Sequence, residues 1–453
     1  MAEGSAQLAL NFHPTHPITV AFDAPPIASD GGAVLLRQME DRLGLSERLA
    51  ALLPDARDPR KVQHDRREQL RQRLSQIALG YPDCNDADRR RQDPVLKRVC
   101  DRPPQAEGRS SQPTLSRLEN AVEVRMLRAL VCEIEEQYVR SFTTAPEVII
   151  LDIDSTDDPT HGQPQLWFFH GYYDQHMYHP LVSFDGERGQ LVSAVLRPGN
   201  AQAARGAMGV LRRIIQRLKQ RFPHVQIVVR GDSAFAVPRV VRMLEELNRE
   251  LGGIAYVVGL AQNAVLLRSG ATALSEARRR FHAAKQPVQH FDAFPYAAES
   301  WPRARHVVMK AEVSEHGANP RFVVTSLPEF APALLYHAYC ERGQCENFIQ
   351  DCKNALQADR LSCSTFAANF FRLLEHAAAY VLFHALRTQV APLAPQLGRA
   401  QFDTLRLELL KVAAIVAQST RRVLVRLPFA FPLARVFRQL ATTLAGLPVL
   451  SSA

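Results

Sequence analysis

Two short apolar runs constrain the fold of this chain more than any other feature of its sequence. Residues 147–153 (EVIILDI) and 225–230 (VQIVVR) are brief and rich in β-branched side chains. Such runs are typical of strands buried on both faces of a sheet, with helices packed above and below. Neighbouring patterns complete the order three strands, helix, strand, helix, with strands at 177–184 and 191–196 and helices at 203–221 and 237–251. The sequence therefore predicts an α/β domain.

The regions on either side of this domain have a different pattern. Apolar spacing predicts helices over 31–53, 61–80 and 114–140, so the first 140 residues are expected to be mainly helical, apart from a strand-like start at 18–22. Residues 254–330 mix strands and turns, and long helices are predicted at 332–360 and 365–388. We therefore divide the chain into a helical region (1–140), an α/β domain (141–390) and a basic helical C-terminal region (391–453).

The charge distribution favours a polyanionic partner. The formal net charge is +9, and residues 386–453 and 56–100 carry +7 and +5 of it while the middle of the chain is close to neutral. Basic ends around a neutral centre favour nucleic acid first and an acidic membrane surface second. The apolar stretch at 377–386 is too short to span a bilayer, so we expect no membrane association.

The cysteines indicate a reducing compartment. The seven Cys are an odd number at low density, which does not resemble a disulfide framework. Cys340, Cys345 and Cys352 have spacings of 5 and 7, whereas zinc sites usually contain a close pair of ligands. We therefore expect a cytoplasmic protein without a zinc site.

Two aspartates stand at the predicted ends of the apolar runs. Asp154 follows the first run, and Asp232 comes two residues after Arg230. The carboxyl ends of strands are where α/β proteins usually place their functional sites. Either aspartate could also simply begin a turn or cap a helix, since Asp is common in both positions.

A third group of polar residues lies in the predicted helix 332–360. Tyr339, Arg342, Glu346 and Lys353 have spacings of 3, 4 and 7, which on a continuous helix places them within roughly 60° around the axis. A carboxylate surrounded by cations suits a metal ligand that works beside phosphates. The alternative is a solvated charged face in which Arg342 and Glu346 pair with each other.

These residues carry a resemblance to a known family. The signature Y-x2-R-x3-E-x6-K is complete at residues 339–353, and the chain resembles the DDE transposases of bacterial insertion sequences. Further segments similar to that family are 151–162 (LDIDSTDDPTHG), 229–235 (VRGDSAF), 170–174 (HGYYD), 196–200 (LRPGN), 80–88 (GYPDCNDAD) and 111–120 (SQPTLSRLEN). The resemblance covers nearly the whole chain except roughly the last 60 residues.

The resemblance implies a fold. It implies a ribonuclease H-like catalytic core, in agreement with the predicted order of strands and helices. The 114 residues from Asp232 to Glu346 are too long for a simple connection. They fit an inserted β-rich subdomain at about 254–330, as this family carries.

The resemblance also implies a reaction. Asp154, Asp232 and Glu346 would be catalytic and would hold two Mg²⁺ ions, or Mn²⁺ in their place, about 4 Å apart. The other three signature residues would grip phosphates, namely Tyr339, Arg342 and Lys353. The expected function is to bind element ends and to cleave and join DNA strands. Its partners would be double-stranded DNA, both element ends and target, and a second copy of the chain in a homodimer on paired ends, in the cytoplasm with the nucleoid.

Several alternatives remain open at this stage. Asp152 could replace or support Asp154, and two further aspartates follow at 157 and 158. His161 and His170 could be metal ligands, although a scaffold role is the simpler interpretation. A catalytically inactive DNA-binding protein descended from a transposase is the main competing function. A glycoside hydrolase using two of the carboxylates is another, which the basic ends disfavour.

Overall fold

The computed structural model describes residues 8–10, 16, 18–21, 23–25, 27–160 and 162–447. Its first part is mainly helical, as predicted. The elements up to residue 140 are β1 (Leu8–Leu10), β2 (Ile18–Val20), β3 (Ile27–Ala28), α1 (Ala33–Leu43), α2 (Leu45–Ala51), a 3₁₀ turn (Pro59–Lys61), α3 (Arg66–Ala78), α4 (Asp86–Arg90), α5 (Pro94–Val99), α6 (Gln112–Asn120) and α7 (Val124–Arg140). The single helix predicted over 31–53 is divided at Gly44, which adopts a left-handed φ of 62° that ends α1.

The middle of the chain contains most of the strands. Its elements are β4 (Val148–Ser155), β5 (Asp158–Pro159), β6 (Phe168–His170), β7 (Gln175–Tyr178), β8 (Leu181–Asp185), β9 (Leu191–Val195), α8 (Ala207–Arg221), β10 (Gln226–Gly231), α9 (Pro238–Leu251), β11 (Ile254–Leu260), α10 (Ala264–Ser269), α11 (Ala271–Ala284), β12 (Val288–Tyr296), β13 (Arg305–Ser314), β14 (Gly317–Ala318) and β15 (Arg321–Thr325). The predicted order of three strands, helix, strand, helix is confirmed by β4, β8, β9, α8, β10 and α9. The strand predicted over 177–184 was wrong in one respect, because Pro180, which cannot donate a ladder hydrogen bond, separates β7 from β8.

The last part of the chain returns to helices. Its elements are α12 (Pro332–Cys340), α13 (Gly343–Gln350), a π-helical turn (Asp351–Ala355), α14 (Phe366–Val390), α15 (Pro395–Gly398), α16 (Phe402–Leu405), a second π-helical turn (Arg406–Leu410), β16 (Ala414–Gln418), β17 (Val423–Arg426) and α17 (Ala434–Gly446). The continuous helix predicted over 332–360 was wrong: it breaks at Glu341 and Arg342, just before Gly343, a residue that disfavours the helix interior. The helix predicted over 365–388 is confirmed by α14.

One large sheet organises these elements. Its strand order is β12-β13-β15-β11-β10-β4-β8-β9, with β14 paired to β13. Strands β4, β10 and β11 are mutually parallel neighbours, and the remaining pairings are antiparallel. The strands of the predicted β-rich insertion do not form a sheet of their own. Instead β15, β13 and β12 extend the central sheet beyond β11.

The two largest hydrophobic cores among the described residues lie against this sheet. In β8, Val182 and Phe184 belong to one core and Leu181 to the other, because alternate side chains of a strand point to opposite faces. The first core surrounds α14 and includes side chains of α1, α3, α5, α7 and α16. The second includes α8, α9 and α11. The helices before residue 140 therefore share a core with α14, so the predicted boundary at 140 does not separate two cores.

The C-terminal region is not wholly helical, contrary to the prediction. Strands β16 and β17 pair with each other, and β16 pairs with β3 from the start of the chain. The apolar β-branched residues of 414–418 (AIVAQ) and 423–426 (VLVR) favour strands and account for the difference. Across the described ranges, no helix has the length and apolar character that a bilayer crossing requires.

Candidate active site

The pairing of two parallel strands places Asp154 beside Asp232. Gly231 of β10 is in register with Ile153 of β4, so the next residue on each chain is one of the two aspartates. Both side chains line the same open cleft, which has a volume of about 600 Å³. Asp154 belongs to β4 itself, which continues to Ser155, and does not follow the strand as the sequence suggested. The sheet thus presents two neighbouring carboxylates at its carboxyl edge.

Asp232 also has a structural contact. Its Oδ1 accepts a hydrogen bond of 3.0 Å from the backbone N–H of Ala234 and so caps the short 3₁₀ turn Ser233–Phe235. Asp232 therefore both caps a turn and lines the cleft. One carboxylate oxygen is used by the cap, while the side chain still contributes to the cleft wall.

Asp154 lies in an environment that resists its ionisation. Burial is the largest cause that raises its pKa to about 6; Arg342 opposes the rise, and the charges of Asp232 and Glu346 add to it. Arg342 Nη1 lies 3.0 Å from Asp154 Oδ2. The cleft therefore concentrates negative charge that one guanidinium offsets only in part.

Glu346 is connected to Asp154 through the same guanidinium. Arg342 Nη2 lies 3.9 Å from Glu346 Oε1, and the Glu346 side chain is 66% exposed. Within the described residues, no three carboxylate, imidazole or thiolate groups are gathered closely enough to hold a metal ion together. Asp154 and Asp232 are neighbours in this structure, whereas Glu346 stands apart with Arg342 between it and Asp154.

The donor chemistry nevertheless fits a hard divalent cation. Carboxylate oxygens are the ligands that Mg²⁺ prefers. Burial is the main cause that raises the pKa of Asp154, and neighbouring carboxylates add to the rise, so a bound cation would stabilise the ionised carboxylate. All three carboxylates thus have the residue type and charge that such a cation requires. Only Asp154 and Asp232 also stand close together.

Lys353 contacts Asp157, which lies three residues after Asp154. Its Nζ lies 2.8 Å from Asp157 Oδ1 and also donates to the Asp157 carbonyl oxygen at 3.0 Å. Both signature cations, Arg342 and Lys353, are thus paired with carboxylates near the end of β4. Their role as phosphate contacts stays a prediction.

Tyr339 packs closely against the edge of the sheet. A methyl group built on Gly259 of β11 would lie 2.6 Å from the Tyr339 hydroxyl and 3.0 Å from the backbone nitrogen of Ser233. The hydroxyl is therefore close to the turn that follows Asp232. Arg342 Cζ lies 5.9 Å from the Tyr339 ring centroid, so two signature residues, Tyr339 and Arg342, lie beside the two aspartates.

The remaining aspartates of this segment have other partners. Asp152 is fully buried and forms a two-pronged pair with Arg230, at 2.6 Å and 2.8 Å. Asp158 is also buried and lines a separate apolar cavity, whereas Asp157 pairs with Lys353. Only Asp154 among the four lines the open cleft. His161 lies outside the described residues.

The cleft that holds Asp154 is also lined by residues for which the sequence alone suggested no role, apart from His170, a candidate metal ligand or scaffold residue. The segment 170–174, which resembles a family motif, supplies His170, Tyr172 and Tyr173, and Asn200 comes from the 196–200 motif. Tyr172 is 86% exposed at the turn between β6 and β7. The two motifs could have indicated these residues from the sequence. Only the fold shows that they line the same cleft as Asp154.

His179 adds a neutral imidazole to this cleft. Burial is the main cause that lowers its pKa to about 4. Its Nδ1 lies 2.7 Å from the Ala201 carbonyl oxygen, so this nitrogen carries the proton. Its Nε2 is left as a buried acceptor without a hydrogen-bond partner among the described residues.

The match to a family model agrees with the resemblance seen in the motifs. A family model described as "Transposase DDE domain group 1" matches residues 11–449. Among solved structures, the chain is similar to the piggyBac transposase in a cryo-EM synaptic complex with hairpin DNA, with 11% identity, coverage of 84% of this chain and 80% of that chain, and a TM-score of 0.43. It is also similar to the Mos1 transposase in a paired-end complex with the left transposon end, with 13% identity, coverage of 51% and 75%, and a TM-score of 0.17. No curated protein matches the chain.

Proposed function

The chain belongs to the transposase DDE domain group 1 family, and on that premise we propose that it binds the ends of a mobile DNA element, cleaves them and transfers the freed strands to target DNA. The observation that carries this proposal is the position of Asp154 and Asp232, side by side at the ends of two parallel strands and lining one cleft. The signature segment packs against them through Arg342.

We propose that Asp154, Asp232 and Glu346 together hold two Mg²⁺ ions, or Mn²⁺ in their place. When bound, these ions would activate a water or 3′-hydroxyl nucleophile and stabilise the leaving 3′-oxygen. Glu346 does not stand with the two aspartates in the structure. We therefore propose that Glu346 joins the two aspartates when DNA or metal ions bind.

The signature cations would have one role before the metal ions and DNA bind and another role afterwards. In the structure, Arg342 lies beside Asp154 and Glu346 and offsets their charge. Once bound metal ions offset the charge of these carboxylates, the guanidinium would be available to a phosphate, which it can contact with two parallel hydrogen bonds. Lys353 and the Tyr339 hydroxyl would contact phosphates from the same segment.

The fold supports a ribonuclease H-like core. Strands β9-β8-β4-β10-β11 with α8 and α9 would form its central part, and the strands of residues 254–330 that lie beyond β11 would correspond to the family's β-rich insertion. Helices before residue 140 and the basic C-terminal region would contact DNA on either side. We propose that the protein works as a homodimer on paired ends, in the cytoplasm with the nucleoid.

A plasmid cleavage assay tests the proposal. Supercoiled plasmid carrying the DNA that flanks the gene on both sides is incubated with the protein in Mg²⁺, and in EDTA as a blank. Asp154→Asn, Asp232→Asn and Glu346→Gln should each abolish cleavage while retaining end binding in a gel-shift assay. Glu341→Gln is the matched control, because Glu341 is an exposed carboxylate at the break before α13.

The outcomes separate an enzyme from a binder. Cleavage by the wild type and the control, with loss in all three variants, supports the proposal. End binding without any Mg²⁺-dependent cleavage by the wild type would identify an inactive DNA-binding protein. Cleavage at the wild-type rate in Glu346→Gln would remove that residue from the catalytic set.

A further inference from the structure

A second cleft lies far along the sequence from the carboxylates, in the helical first part of the chain. It has a volume of about 630 Å³ and is formed by the segment that leads into α3 and by helix α6. Four cationic side chains line it, from Arg57, Lys61, Arg66 and Arg117, and none of its lining residues is acidic.

The positive charge of this cleft is only partly compensated. Asp55 holds Arg57 through bonds of 2.7 Å and 2.5 Å and lies 3.8 Å from Arg66. Lys61 and Arg117 have no carboxylate partner within the ranges that the structure describes, and Arg117 contacts only the Thr114 hydroxyl at 3.4 Å. Asp65 also acts on Arg57, and Glu68 bonds His64 of the lining at 2.9 Å, so these acids lie beside Arg57 and His64 and leave Lys61 and Arg117 without a carboxylate partner among the described residues.

Arg66 is the least solvated of the four cations. Its side chain is 14% exposed, and its Nε is buried with no hydrogen-bond partner among the described residues. Burial lowers the pKa of this guanidinium, an effect that Asp55 opposes. A desolvated cation with an unsatisfied donor gains from a nearby anion more than a solvated one does.

Neutral donors complete the lining. The amides of Gln63 and Asn120 and the hydroxyl of Thr114 lie in the same cleft. Arginine, lysine, amide and hydroxyl groups are the side chains that contact DNA phosphate oxygens. Because the four cations come from separate elements, they match a series of phosphates along a strand better than one isolated anion.

We propose that this cleft binds the phosphodiester backbone of duplex DNA. The inference rests on the proposed function and locates a contact that neither the signature residues nor the basic tail supplies. The motif at 111–120 thereby acquires a role, since Thr114, Arg117 and Asn120 all belong to it.

The cleft is held at a fixed position relative to the carboxylates. Arg73 of α3 is buried and pairs with Glu375 of α14 at 3.3 Å and with Glu119 of α6 at 3.0 Å. Helix α14 follows directly after the signature segment. DNA bound between α3 and α6 therefore contacts a rigid extension of the helix layer that packs on the catalytic sheet.

Salt-dependent binding tests the inference. The full chain is titrated into a fluorescein-labelled random-sequence 30-bp duplex, and anisotropy gives the affinity at several NaCl concentrations. The double variant Lys61→Ala/Arg117→Ala should lower the slope of log affinity against log salt by about 2, since each phosphate contact contributes about 0.9. Both residues are exposed, so circular dichroism should show an unchanged fold.

A matched double variant distinguishes the cleft from net charge. Arg268→Ala/Arg278→Ala removes two exposed cations on α10 and α11 and should leave the slope unchanged. An equal fall in both double variants, or a wild-type slope in Lys61→Ala/Arg117→Ala, would overturn the inference while the proposed function stands. Absence of duplex binding by the wild type would overturn the proposed function itself.

Discussion

Gly259 offers a test of how closely the signature segment must pack on the sheet. In Gly259→Ala the new methyl group would lie 2.6 Å from the Tyr339 hydroxyl and 3.0 Å from the Ser233 backbone nitrogen. The hydroxyl must retreat by about 0.8 Å, from 2.6 Å to the 3.4 Å of ordinary contact. The backbone of Ser233, directly after Asp232, has less freedom to move.

The size of the effect follows from these distances. Overpacking of this kind costs about 1–3 kcal/mol of folding stability. A displacement near 1 Å of a group that positions substrate lowers the reaction rate by about 10²-fold. We therefore expect Gly259→Ala to fold, to retain DNA binding and to lose most of its cleavage activity.

A double-mutant cycle with Tyr339→Phe attributes the stability effect to the hydroxyl. Without that oxygen, the nearest ring atom is Cζ at 3.2 Å, which needs only a small adjustment. Urea unfolding should show that Gly259→Ala is less destabilising in the Tyr339→Phe background than in the wild type. Plasmid cleavage is measured in parallel. Wild-type stability and cleavage in Gly259→Ala would refute the packing of Tyr339 described here.

Three further perturbations examine the charged groups. Asp152→Ala should lower the free energy of unfolding by about 3–5 kcal/mol in urea titrations, because Arg230 stays buried without its partner; a change below about 1 kcal/mol would contradict this. Folding raises the pKa of Asp154 from 3.8 to about 6. The folded protein is therefore more stable when this carboxyl is protonated than when it is ionised. In EDTA its contribution, at most about 3 kcal/mol, should be present below pH 4 and be lost as pH rises to 6, and Asp154→Asn should remove this part of the pH dependence. Arg342→Lys should fold normally yet cleave about 10²–10³-fold more slowly, because an ammonium lacks the planar fork that gives a phosphate two parallel hydrogen bonds; wild-type cleavage rates would show that the fork is dispensable.

The central sheet was the most predictable part of the fold. A buried strand requires a run of apolar, often β-branched residues, so 147–153 and 225–230 identified β4 and β10. Parallel pairing then places residues at equivalent ends together, which brings Asp154 beside Asp232. The family signature pointed to the segment 339–353, and in the structure Arg342 of that segment contacts Asp154.

Other features depend on contacts between distant residues and could not be read from local patterns. Arg342 and Asp154 are separated by 188 positions, so a periodic helical face could not reveal that the cations would pair with the aspartates. The same holds for β3, which pairs with β16 near the opposite end of the chain. Helix α14 likewise gives no sequence signal that its partners lie before residue 140.

The most direct test of the proposed metal site is anomalous scattering from Mn²⁺ in crystals of the protein bound to its element-end DNA. We expect anomalous peaks bounded by Asp154 and Asp232, with a Glu346 oxygen as a ligand and Arg342 no longer in contact with Asp154. Peaks away from the two aspartates, or density that leaves Glu346 uncoordinated beside an intact Arg342–Asp154 pair, would contradict the proposal that the three carboxylates form one catalytic site.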